Sequence, residues 1–194
     1  NYWGSQTFDM KPDILVCAKA LSSSYLPISA TIINEKIYEP VKKASAELGA
    51  FGHGYTYSGH PVCAAVALET LKIYDEENIV ERVQGVAPYF RKAIQSFADH
   101  PLVGEARCVG LVGAVQVMKD KATKKPFEAS QGVGPMIANL ASEEGVLLRA
   151  IGDSVAFCPP LIISESEIDE MFASFRRGLD RALDHLRKEG QAVA

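Results

Sequence analysis

Three stretches of the sequence hold residues whose types and spacing suit chemistry. The first is Lys19, which ends the apolar run Ile14-Leu15-Val16-Cys17-Ala18 and is followed by Ala20 and the hydroxyls Ser22-Ser23-Ser24. A buried strand that delivers an amine to a cavity disfavours the ammonium, and the free amine then attacks a carbonyl to form a Schiff base. Taken alone, Lys19 also reads as a solvated strand cap, since Lys is rarely fully buried. The second stretch is Gly52-His53-Gly54-Tyr55-Thr56-Tyr57-Ser58-Gly59-His60-Pro61. Such a loop exposes backbone N–H groups, and the Thr56 hydroxyl adds a donor, a set that fits a phosphate. Its plain alternative is a turn ahead of a helix. The third is Arg149, which follows Val146-Leu147-Leu148 and stands shortly before Gly152-Asp153. A guanidinium held there pairs with a carboxylate through two hydrogen bonds, or else simply ends a strand in water. An amine for carbonyl attack, a phosphate loop and a carboxylate clamp together suggest pyridoxal phosphate chemistry on amino substrates.

The elements that must position these groups are legible in outline. Residues 13–18 read as a buried strand and Ser29-Ala30-Thr31-Ile32-Ile33 as a second, β-branched one. Asn34 is a good N-cap for a helix from Glu35 to about Lys43. Residues 45–60 read as a glycine-rich loop, after which Pro61 suits the first turn of a helix to about Glu77. In that helix Cys63, Val66, Ala67, Thr70, Leu71 and Tyr74 recur at helical spacing. A further helix covers Ile79 to Phe97, with Val80, Val83, Tyr89, Phe90 and Ile94 on its inner face.

Beyond Pro101 the texture changes. Residues 107–117 read as strands interrupted by glycines, 119–125 as a charged turn and 131–144 as a helix. Strands are then expected at Val146-Leu147-Leu148-Arg149 and Ser154-Val155-Ala156-Phe157. Ser164-Glu165-Ser166-Glu167 is a capping box that opens a last helix. Its Ile168, Met171, Phe172, Phe175, Leu179, Leu183 and Leu186 form one apolar stripe, read as core packing.

Composition narrows the function classes. The chain has 194 residues, 47% hydrophobic and 23% charged, and a net charge of −4. That is the balance of an ordinary globular chain, and the charge argues against a general nucleic-acid surface. No apolar stretch approaches the roughly 20 residues of a membrane span. The four cysteines, Cys17, Cys63, Cys108 and Cys158, are far apart, and neither they nor the four histidines show metal-ligand spacing. They read as small buried hydrophobes in a reducing, cytoplasmic compartment. Asn1-Tyr2-Trp3-Gly4-Ser5 has no initiator Met and no signal-peptide pattern. It reads as the middle of a domain, so one segment of a longer chain is expected.

The sequence resembles the class III aminotransferases of pyridoxal phosphate fold type I, over essentially its whole length. Pro12-Asp13-Ile14-Leu15-Val16-Cys17-Ala18-Lys19-Ala20-Leu21 is similar to the family's lysine motif, and Thr56-Tyr57-Ser58-Gly59-His60-Pro61 with Cys63-Ala64-Ala65 to its phosphate-loop motif. Gly145 to Arg149 and Cys158-Pro159-Pro160-Leu161 resemble its C-terminal strands. Where many members have a glycine run after the lysine, this chain has Ser22-Ser23-Ser24-Tyr25-Leu26-Pro27-Ile28-Ser29. With Gly52-His53-Gly54-Tyr55-Thr56 that resembles the branch acting on ω-amino acids and pyruvate.

The resemblance implies an α/β fold. Residues 1–99 would be the end of a large cofactor-binding domain with a mostly parallel sheet, and residues 100–194 a smaller α+β domain. It implies pyridoxal 5'-phosphate as cofactor, Lys19 as catalytic and cofactor-binding residue, Tyr55 and Thr56 as cofactor-binding and Arg149 as substrate-binding. It also implies a homodimer with shared sites, in which Tyr55 and Thr56 reach the neighbouring subunit's cofactor. Substrates would be an amine or amino acid and a 2-oxo acid, with no metal, nucleic acid or membrane involved. Family members are longer, and the acid that meets the cofactor's pyridine nitrogen, the first phosphate turn and the ring-stacking aromatic would lie ahead of Asn1. Other readings are an aminomutase or decarboxylase on the same scaffold, a non-catalytic aminotransferase-like module, and a structural domain in which Lys19 is only a cap. Arg107 is the second candidate for the clamp.

Overall fold

The structure is a computed structural model and describes residues 1–190. It is mixed α/β and contains two compact units, Asn1–Val80 and a second from Glu81 onward.

In the first unit a single helical turn, α1 (Gly4–Thr7), precedes a two-stranded antiparallel ribbon. Strands β1 (Ile14–Ala18) and β2 (Ser29–Ile33) pair in the register Ile14↔Ile33 to Ala18↔Ser29. Asn34 then caps α2 (Glu35–Leu48): its side-chain oxygen accepts from the Ile37 N–H at 3.2 Å and its amide donates to Asp13 at 2.6 Å. This helix runs past the expected end at Lys43 and stops at Gly49, whose φ of 97° no side chain would favour. Helix α3 (Pro61–Glu76) starts at Pro61 as its sequence predicts.

The burial of β1 differs from expectation. Ile14 is 53% and Val16 71% exposed, and only Leu15 and Cys17 on the other face are half-buried. An apolar run reports a strand that is to be covered; the covering layer is not among the described residues of this unit. A ribbon of two strands is marginal by itself.

Helix α4 (Ile79–Gln95), all but its first two residues in the second unit, and a 3₁₀ turn lead to four antiparallel strands. They are β3 (Val103–Val109), β4 (Val112–Val117), β5 (Arg149–Ile151) and β6 (Ser154–Phe157), in the order β3-β4-β6-β5. Helices α5 (Val133–Glu143) and α6 (Glu165–Lys188) complete it. The α6 stripe is core as expected: Ile168, Phe175 and Leu179 are fully buried, and Phe175 meets Phe157 of β6 edge-on at 4.9 Å. The capping box forms, with Ser164 and Glu167 each bonding the other's backbone N–H at 3.3 and 2.7 Å.

Two boundaries move. Helix α4, assigned from sequence to the 1–99 domain, sends Phe90 and Ile94 into the core of the second unit, so the compact units divide at Val80/Glu81 and not near residue 99. The strand expected at 146–149 begins only at Arg149. Gly145 leaves α5 at φ 102°, and the Val146 N–H turns back onto the Ala141 carbonyl at 3.0 Å, so Val146 to Leu148 form a helix-ending loop. No parallel strand pair occurs among the described residues; the sheet of a whole large domain is not contained in the first unit's two strands.

The hairpin bearing Arg149 is pinned by a close backbone approach. A Cβ at Gly134, in the first turn of α5, would stand 2.0 Å from the Gly152 carbonyl oxygen, and the Gly134 N–H donates to Asp153 at 3.1 Å. Gly134→Ala is therefore expected to lower the unfolding free energy by about 1–3 kcal/mol in denaturant titration, the cost of overpacking a rigid contact. An unchanged midpoint would show that the hairpin shifts freely.

Candidate functional site

Lys19 leaves β1 directly into a 3₁₀ turn, Lys19–Ser22. Its φ is +56°, and Ser23 and Ser24 follow at +46° and +62°. Three non-glycine residues in the left-handed region within six positions is a strained turn, and such strain persists only where the surroundings impose it. The Ser24 N–H returns to the Lys19 carbonyl at 3.1 Å, and the buried Ser22 hydroxyl donates to the Leu26 carbonyl at 2.6 Å. From α3 the Tyr74 hydroxyl donates to the Ala20 carbonyl at 3.0 Å and meets the Ser23 hydroxyl at 2.9 Å. The Lys19 side chain is exposed, so the desolvation expected from a buried strand is not supplied by this chain's own atoms.

The glycine-rich loop is built from two overlapping turns. Ser58 N–H bonds to the Tyr55 carbonyl at 2.9 Å and His60 N–H to the Tyr57 carbonyl at 3.2 Å, while the Ser58 hydroxyl receives the Tyr55 N–H. Gly59, at φ 70°, makes the second turn possible. The N–H groups of Thr56 and Tyr57 and the Thr56 hydroxyl have no acceptor among the described residues, and Tyr55 and Thr56 are exposed. The helix end itself offers less: Pro61 has no N–H, and the Val62 N–H is taken by His60 at 3.2 Å. An anion here would be held by the turn, not by the α3 terminus.

Arg149 opens β5, the edge strand of its sheet, opposite Ala156 of β6. It is exposed, and its guanidinium has no partner among the described residues. Arg107 contrasts with it, being tied to Glu105 and to the Ser154 hydroxyl, both at 3.3 Å.

Lys19, Tyr55 and Thr56 thus lie in the first unit and Arg149 in the second. Within the first unit, α3 links the two motifs. The loop enters its first residue, Pro61, and the lysine turn is held at Tyr74, 13 positions or about 20 Å further along the axis. Tyr74 was readable in the sequence only as part of an apolar stripe. Its partner is a carbonyl 54 residues away, which leaves no local signal.

The donor set suits pyridoxal phosphate: a primary amine on a held turn for the carbonyl carbon and, with no partner among the described residues, N–H and O–H donors for the phosphate and a guanidinium for a substrate carboxylate. Among the described residues no three His, Cys, Asp or Glu side chains gather to hold a metal, and no helix is long and apolar enough to cross a membrane.

The family profile for class-III aminotransferases matches residues 1–179. A putrescine–pyruvate aminotransferase of Pseudomonas aeruginosa is 43% identical over 182 residues, covering 93% of this chain and 39% of its own length. A probable gamma-aminobutyrate transaminase 3 of Oryza sativa is 42% identical, over 89% of this chain and 34% of its own. The crystal structure of an omega transaminase from Pseudomonas jessenii, in complex with PMP, superposes with a TM-score of 0.91 at 48% identity. It covers 95% of this chain and 41% of that one. The chain spans between about a third and a half of the length of the relatives it matches. It belongs to the class-III aminotransferase family.

Proposed function

We propose that the protein is a pyridoxal phosphate-dependent transaminase that moves an amino group from an ω-amino acid or amine to pyruvate or a related 2-oxo acid. The observation that carries this reading is Lys19 in its strained turn, held from α3 by Tyr74, inside a family match over residues 1–179. The relatives named for putrescine and gamma-aminobutyrate support a donor with its amine at a chain end, and the first of them supports pyruvate as acceptor.

Pyridoxal phosphate, when bound, supplies an electron sink for charge left at a substrate carbon that loses a proton. The chain's own residues do the rest. Lys19 Nζ would hold the cofactor covalently and, once free, would take and return the proton at the substrate carbon as base and acid. Arg149 pairs with the acceptor's carboxylate through two hydrogen bonds.

Thr56, through its hydroxyl and N–H, would donate to the phosphate held by a second copy of the chain. The separation along α3 supports this sharing, because the loop emerges at the end of the helix opposite the lysine turn. Tyr55, 80% exposed beside it, would meet the same neighbour, and the exposed Tyr57 and Leu48 in this unit are apolar surface of the kind that interfaces cover. Thr56→Ala is expected to weaken cofactor retention roughly ten- to a hundredfold, from a bond to a dianion worth about 1.5–3 kcal/mol. Equilibrium dialysis measures it, and full retention would remove Thr56 from the phosphate site.

The reading as a whole is tested by incubating the intact protein, pyridoxal phosphate and a diamine or ω-amino acid with and without pyruvate. Alanine formed in proportion to donor consumed is expected. Consumption that needs no 2-oxo acid would point to a mutase, and release of carbon dioxide to a decarboxylase.

A further inference from the structure

The turn bearing Lys19 is gripped from α3 by one hydroxyl at two points. A carbonyl only accepts hydrogen bonds, so the single proton of the Tyr74 hydroxyl goes to the Ala20 carbonyl at 3.0 Å. The Ser23 hydroxyl, 2.9 Å from the same oxygen, must then be the donor of the second bond. The result is a relay from Ser23 through Tyr74 to Ala20, whose two ends lie in the same turn. Ala20 directly follows Lys19, and Ser23 is itself one of the left-handed residues. The Tyr74 ring stands 6.5 Å from that of Tyr2, so its packing does not depend on the hydroxyl.

We propose that Tyr74 is a positioning residue for Lys19: its hydroxyl ties the Ala20 carbonyl to the Ser23 side chain and so fixes the strained turn from which the amine is presented. The proposal rests on the reading above that Lys19 carries the cofactor. The Tyr74 hydroxyl bonds the Ala20 carbonyl and the Ser23 side chain. It acts through the backbone, by keeping Lys19 at a φ that a lysine in a free loop seldom adopts.

Tyr74→Phe keeps the ring and removes the relay. In the intact apoprotein, the rate at which borohydride fixes pyridoxal phosphate on Lys19 is followed by peptide mapping, alongside amide exchange at Ser23, Ser24 and Tyr25. Labelling of Lys19 is expected to slow three- to tenfold, the range a single neutral hydrogen bond supports. The three turn amides should exchange faster by a similar factor while those of α2 do not change. In the loaded enzyme kcat should fall and the amine's KM stay within twofold. If Tyr74→Phe does not fold, Ser23→Ala cuts the relay at its other end and is read in the same way. Labelling of Lys19 and turn exchange both at the unsubstituted rate would overturn the role of Tyr74 and leave the lysine assignment intact. Labelling of the unsubstituted protein at a different lysine would overturn that assignment, and the role with it.

Discussion

Lys19→Ala is expected to abolish turnover, by about 10³-fold or more, while the protein still takes up pyridoxal phosphate. The substitution removes two functions at once: the covalent anchor and the base that moves the proton at the substrate carbon. It leaves the N–H and O–H donors of the Thr56 turn, so phosphate-borne binding should survive. It also replaces a left-handed lysine by a left-handed alanine, a change of little consequence for the turn, because both are L residues with the same backbone penalty. Stability should therefore be retained, and the loss should lie in the chemistry. Single-turnover kinetics with amine donor checks this. Turnover within tenfold of the unsubstituted protein would mean that another group moves the proton.

Arg149→Ala is the second large effect, and it should fall on one half of the reaction. On the proposed function the enzyme must accept an amine donor that lacks an α-carboxylate and an acceptor, pyruvate, that has one. A guanidinium buried in a fixed place would be left uncompensated whenever an amine occupied the site, which costs several kcal/mol. Arg149 is instead exposed, without a partner among the described residues and on an edge strand, free to pair with a carboxylate or turn to water. Its removal should raise KM for pyruvate about a hundredfold, corresponding to about 3 kcal/mol for a charge-assisted pair. The half-reaction with a simple amine should change little. Equal damage to both halves would make Arg149 structural. Arg107, already bonded to Glu105 and Ser154, would have to break those contacts to take its place.

The legibility of this chain was uneven for physical reasons. Caps read well because their chemistry is local: Asn34 and the Ser164–Glu167 box each bond within three residues, and Pro61 fixes its own φ at the first helical position. The α6 stripe read well because 3.6-residue periodicity is a property of the helix alone. Features set by distant partners did not. The run Ile14 to Ala18 is apolar, yet its exposure depends on a layer the unit does not contain. Val146 to Leu148 are strand-like residues captured by the closing turn of α5. At the site, residue types pointed to Lys19, Thr56 and Arg149, but nothing in Ala18-Lys19-Ala20, with no glycine, shows a left-handed turn. The relay that holds it joins residues 20 and 23 to residue 74.

The central claim is that Lys19 is the lysine to which the cofactor is joined. Pyridoxal phosphate added to the intact protein, fixed by borohydride and located by peptide mass spectrometry, tests it most directly. The account predicts the pyridoxyl group on the peptide that contains Lys19 and none on that peptide after Lys19→Ala. A pyridoxyl group on Lys36, Lys72 or any other lysine, with Lys19 unmodified, would contradict it.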